Sequence, residues 1–178
     1  MTCYGSVELA RNFRVVRKNL LTIAEEIPEA QYDFRPAPEA RSVREMLGHI
    51  LAISRGNYEG HAVRKMTTFA GMDYAVLSRE RAEEARRIAA LPKAQILDLL
   101  KADGAQWGAY LDQATEADLS VIVPFPPPAV PATKSRLEML LSAKEHEMHH
   151  RGQLMVYERL LGIVPHLTRA RQERQAGR

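Results

Sequence analysis

Apolar residues recur along the chain at alternating steps of four and three in four separate stretches, the spacing that draws one stripe down an α-helix. The first stripe is Leu9, Phe13, Val16, Leu20, Ile23 and Ile27, ended by Pro28, Pro36 and Pro38. The second opens on Ser42-Val43-Arg44-Glu45, a capping box in which the serine hydroxyl and the glutamate side chain satisfy backbone N–H groups at a helix start. Its stripe, Val43, Met46, Leu47, Ile50 and Ile53, predicts a helix continuing through Asn57 to about Met66, with His49 on the stripe's edge. A third stripe holds Ile96, Leu99, Leu100, Trp107, Tyr110 and Leu111 and ends at Ala114 and Thr115. The fourth begins at a second capping box, Ser135-Arg136-Leu137-Glu138. It carries Leu137, Leu140, Leu141, Leu154, Tyr157 and Leu161, and Gly162 and Pro165 close it.

The links between these stripes set the topology. Thr67 to Pro92 is a connector with its own charged helical piece, Ser78 to Ala90. At roughly 25 residues it exceeds the 2–8 that join adjacent antiparallel helices, and it permits a crossover in which helices two and three run the same way. Pro124, Pro126, Pro127, Pro128 and Pro131 deny helix to the stretch from Val121 to Pro131, which reads as an extended loop with a short strand at Val121 to Val123. Four amphipathic helices with almost no strand signal predict an all-α four-helix bundle, an architecture that builds metal sites from side chains on facing helices.

The 178 residues suit one domain with a real core. No apolar run approaches the roughly 20 residues of a membrane span, and Met1 to Arg14 lacks the apolar stretch of a secretory signal, so a cytoplasmic protein is expected. Cys3 is the single cysteine, which excludes an internal disulfide and a thiolate-rich cluster and leaves nitrogen and oxygen as metal donors. The net charge of +3 resides in Thr168 to Arg178, where four arginines face one glutamate. That places a domain at 1–165 and a basic, flexible tail at 166–178, with no basic patch on the body for nucleic acid.

Against this frame the segment KEHEMHHRG, Lys144 to Gly152, lies deep inside the last helix. His146 and His150 are four apart and project from one side, one turn apart, whereas His149 is rotated by about 100° from His150. His49, on a different helix, supplies a third imidazole. His61 and His166 have no such partners and read as surface residues. Three histidines leave a first-row divalent ion with open positions for water or substrate, the pattern of a reactive site; zinc is the first choice, with nickel and iron(II) as alternatives. Asp103 and Asn57 interrupt stripes, as helpers of such a site or as edges facing water. Glu45, Glu147 and Gln153 are candidates to orient an imidazole, and Trp107 and Tyr110 to line a pocket or pack the core.

The run from His146 to Leu154, followed by Tyr157, Arg159 and Gly162, resembles the closing motif of the DinB/YfiT-like family, in which His-x-x-x-His precedes a small residue and Gln. Phe34-Arg35-Pro36 and the run from Ser42 to Ile50 resemble that family's approach to its first ligand. The resemblance spans the chain to about Pro165. It implies an up-down-down-up bundle, His49, His146 and His150 as ligands, and a homodimer. It also implies chemistry of the thiol S-transferase kind with a low-molecular-weight thiol such as bacillithiol or mycothiol, or hydrolysis by metal-bound hydroxide. The alternative is a non-catalytic, dimeric metal-binding bundle of a stress response.

Overall fold

A computed structural model describes residues 4–177. The four striped segments become α1 (Ser6–Glu26), α2 (Val43–Tyr58), α4 (Lys93–Gln113) and α6 (Arg136–Leu160), with α3 (Tyr74–Ala89) in the connector. Both capping boxes form: Ser42 and Ser135 accept from the backbone N–H groups of Glu45 and Glu138, and each glutamate accepts from its serine's N–H. Such a cap stabilises a helix start by about 1 kcal/mol.

Two core clusters, one at each end of the bundle, fix the helix directions. Leu9 and Phe13 from the start of α1 meet Trp107 and Leu111 from the end of α4 and Leu140 from the start of α6. At the other end, Leu20 and Ile23 of α1 and Ile27 just after it meet Val43 and Leu47 of α2, Ile96 and Leu100 of α4, and Leu154 and Tyr157 of α6. Thus α1 and α6 run one way, α2 and α4 the other.

The connector makes this geometry possible by adding a helix that lies along α2. Asp73 caps α3 through bonds from Ala75 and Val76 N–H, so the helix starts before the Ser78 that its charged pattern marks. A Cβ on Gly48 would stand 2.4 Å from the carbonyl oxygen of Ala85, so the absence of a side chain at Gly48 is what lets α3 press against α2 next to His49.

Other elements also differ from the sequence reading. The second helix ends at Tyr58 and passes into one π-type turn, Glu59–Val63, instead of running to Met66. The proline loop is the tip of a hairpin, β1 (Ile122–Pro124) against β2 (Thr133–Ser135), antiparallel with Ile122 opposite Ser135. A short α5 (Glu116–Ser120), capped by Thr115, precedes it. Since β2 ends on Ser135, the N-cap of α6, the hairpin anchors the start of the helix that carries His146 and His150. Residues read as a basic tail form α7 (His166–Ala176), which lies against α1 through His166 to Asn19 at 3.2 Å and an ion pair of Arg169 with Glu26. No helix among the described residues is long and apolar enough to cross a membrane.

Candidate metal centre

His49 from α2 and His146 and His150 from α6 converge between the two helices, with one ligating atom from each lying within 4.8 Å of the others. His146 Nε2 stands 3.1 Å from His49 Nε2 and 3.1 Å from His150 Nε2. The His150 ring is held by Gln153, whose Oε1 lies 2.7 Å from Nδ1 and accepts its proton. That bond leaves a lone pair on His150 Nε2. One proton on His146 Nε2 cannot serve both 3.1 Å contacts with good geometry, whereas a cation shared by three lone pairs can. Zinc binds imidazole at about 2.0–2.1 Å, which sets tetrahedral neighbours roughly 3.3 Å apart; the two 3.1 Å spacings around His146 match that value.

The rings are also in the right charge state. Burial lowers the pKa values of His49 and His146 to about 4, and two further effects point the same way: the repulsion between neighbouring imidazoles that protonation would create, and the Arg41 charge. His150 is lowered as well, by burial first, with Gln153 pulling the other way. All three are neutral donors at pH 7. His149 is exposed and lies outside the cluster, its ring edge-on to His150 at 4.9 Å.

Of the three residues expected to orient an imidazole, only Gln153 does so. Glu45 is held by Arg35 and by the Ser42 N–H. Glu147, adjacent to His146, turns the other way and accepts from Arg17 Nε and a terminal nitrogen at 2.9 and 2.8 Å. This bond belongs to a buried network that includes Asp103, which therefore does not face water. Arg17 also donates to Asp103 Oδ2 at 2.8 Å and to the Leu100 carbonyl at 2.9 Å. Ser54 donates to the same Asp103 oxygen at 2.6 Å, and Trp107 Nε1 donates to Ser54 at 2.8 Å. Trp107 is thus a core residue, and Tyr110 packs edge-on to it at 5.9 Å. The network braces α1, α2, α4 and α6 behind the triad.

Sequence reasoning missed Arg17 and Ser54, and it placed His61 wrongly. Arg17 sits four after Phe13 and three before Leu20, and Ser54 four after Ile50, so each is a polar residue at a stripe position; that signal was available. His61 is 3% exposed, in the π-type turn, where its Nδ1 lies 3.3 Å from a terminal nitrogen of the buried Arg136. Desolvation and the Arg136 charge lower its pKa to about 4. His166 is partly buried against α1. Asn57 accepts from Arg81 at 3.5 Å, on the α2–α3 side.

On that side a groove of about 570 Å³ opens between α2 and α3, and its lining includes His49, Arg41, Ile53, Leu77 and Arg81. Of the triad, His49 is the member that lines the groove, so a small molecule held there reaches the cluster from the α2 side.

With this geometry the chain defines a helical-bundle class with a three-histidine cluster between helices. The chain belongs to the DinB superfamily, whose family model matches residues 12–154. Among solved structures, it is similar to YfiT from Bacillus subtilis, described as a probable metal-dependent hydrolase with an unusual four-helix bundle topology. That match has a TM-score of 0.68 at 15% identity, over 92% of this chain and 91% of that one. A DinB-like protein from Bacillus subtilis matches at 23% identity and a TM-score of 0.59, over 87% of this chain and 92% of that one. A mycothiol-dependent maleylpyruvate isomerase matches at 17% identity and a TM-score of 0.66, over 86% of this chain and 63% of the isomerase. No curated protein matches the sequence. At these identities the structural likeness establishes the fold.

Proposed function

We propose that the protein is a metal-dependent enzyme in which His49, His146 and His150 hold one divalent ion, zinc before nickel or iron(II), and in which a thiol or water attacks a small-molecule electrophile. The observation that carries this reading is the convergence of three neutral imidazoles from facing helices beside an open groove. A bound divalent ion lowers the pKa of a water or thiol and polarises an oxygen as a Lewis acid. The protein's own part is to keep the donors neutral by burial, to fix the His150 tautomer through Gln153, and to shape the groove along α3. The names of two similar structures, a probable hydrolase and a thiol-dependent isomerase, support water and thiol respectively as the nucleophile. The reading includes a homodimer.

One observation favours a non-catalytic metal-binding bundle instead. Glu45 and Glu147, two of the three carboxylates nearest the triad in sequence, are both engaged by arginines, and the third, Glu145, is exposed to solvent. Metal analysis of purified protein beside His146→Ala and His150→Ala, followed by a thiol-conjugation and ester-hydrolysis screen, decides between them. One equivalent of metal in the wild type, lost in both variants, with turnover of an electrophile is expected. Stoichiometric metal retained in both variants would sink the triad; metal without turnover on any substrate selects the binding bundle.

A further inference from the structure

The groove beside His49 has an unusual charge balance. Arg41, Arg81 and Arg86 line it against one acid, Glu45, which Arg35 already engages. Among the described residues none of the three groove arginines forms an ion pair, and of the three only Arg81 is partly shielded from solvent. Arg81 is the most confined. Its Nε is buried without a partner, and its one side-chain bond is the 3.5 Å contact to Asn57. Burial pulls its pKa down, the mark of a cation held in place without a counter-charge. An unpaired guanidinium is costly to desolvate, and a bound anion would relieve that cost.

Three features specify the anion. An all-imidazole triad brings no negative charge, so a divalent ion there would make the groove still more positive. The Nε edge of Arg81 is turned to Gly56 and Asn57 of α2, which leaves its other terminal nitrogen, Nη1, neither buried nor hydrogen-bonded, as the donor open to an anion. Ile53, Leu77, Ala82 and Ala85 give the remaining wall an apolar stretch, beside Tyr74 and Ser78. The volume of about 570 Å³ suits a small molecule.

We propose that the groove between α2 and α3 binds a small organic acid, its carboxylate on Arg81 and its apolar body along Ile53 and Leu77, with its far end at the histidine triad. This deepens the enzymatic reading to a substrate class and rests on that reading for the reaction, while the binding itself depends on Arg81. Arg81 is then a residue of substrate specificity. Leu77 and Arg81 also border a second cavity, toward Asn57 and His61, which leaves room for the acid end to extend past the guanidinium.

The test is calorimetric titration of the full-length protein with phenylacetate, with its neutral isostere phenylacetamide and with inorganic phosphate. It is run on the wild type before and after chelation, and on Arg81→Gln and Arg81→Lys. Saturable binding of phenylacetate is expected, at least about tenfold tighter than phenylacetamide, and weakened about tenfold or more in Arg81→Gln with metal content unchanged. Arg81→Lys keeps the charge but loses the Nη1 position that the packing on Gly56 and Asn57 fixes, and falls between; it carries the test if Arg81→Gln does not fold. Phenylacetate binding that is equal in wild type and both variants overturns the proposal, as does binding abolished by chelation alone, which would put the anion on the metal. Phosphate binding as tightly as phenylacetate overturns the organic-acid class. A protein that holds metal and ignores phenylacetate refutes the acid site and leaves the triad; Arg81-dependent binding in a protein that holds no metal does the reverse.

Discussion

Arg17 of α1 grips both carboxylate oxygens of Glu147 on α6, at 2.9 and 2.8 Å, although 130 residues separate them in the chain. Glu147 is 2% exposed and is the neighbour of His146, so this pair sets the rotation of α6 that turns the histidines toward α2.

Removing the cation leaves two buried carboxylates, Asp103 and Glu147, without compensation. Arg17→Ala is expected to lose roughly 3–5 kcal/mol of stability in urea unfolding. Replacing Arg17, Asp103 and Glu147 together by apolar residues of similar volume should cost less than Arg17→Ala alone, because no charge is then stranded. A triple variant less stable than the single one would show that the network contributes more than mutual compensation.

Gln153 acts on the triad through one hydrogen bond of 2.7 Å to His150 Nδ1. Gln153→Ala frees the ring and removes the acceptor that holds its tautomer. Chelator competition should show metal affinity lower by roughly 10–100-fold, while the thermal melt of the metal-free protein shifts little. Unchanged affinity would mean that the α6 backbone alone orients His150.

Glu158 provides a pH dependence away from the metal. It is fully buried where α6 meets α7, both carboxylate oxygens lack partners, and burial with the nearby Glu26 raises its pKa to about 7 against the opposing charge of Arg169. The folded state therefore holds a proton that the unfolded state releases near pH 4.5. Stability from this group is full below that pH and is lost as pH rises toward about 7. Glu158→Gln should flatten the decline between those limits and raise the melting temperature at pH 8. A wild-type melting curve that does not fall over this range would contradict the assignment.

The fold was legible wherever the information is local. Apolar spacing along α1, α2, α4 and α6 and the serines of two capping boxes give helix existence and most helix starts, because a stripe and a cap are complete within a few turns of one segment. The spacing of His146 and His150 likewise needs only one helix. The π-type turn after Tyr58 and the pairing of Ile122 with Ser135 were not legible, since each depends on what lies across from the segment.

For the site, the sequence by itself determined that His146 and His150 share a helix face and that Asp103 interrupts a stripe; Arg17 and Ser54 carry the same periodic signal, which went unread. Periodicity gives a face its composition but not its opposite. Only the tertiary structure decided that His49 meets the α6 pair, that Glu147 serves Arg17 instead of an imidazole, and that α3 closes on Gly48 to form a groove rich in arginine. The physical reason is that hydrogen-bond partnership and desolvation arise between helices distant in the chain, where the packing of one backbone against another sets which charges are paired and which are left open.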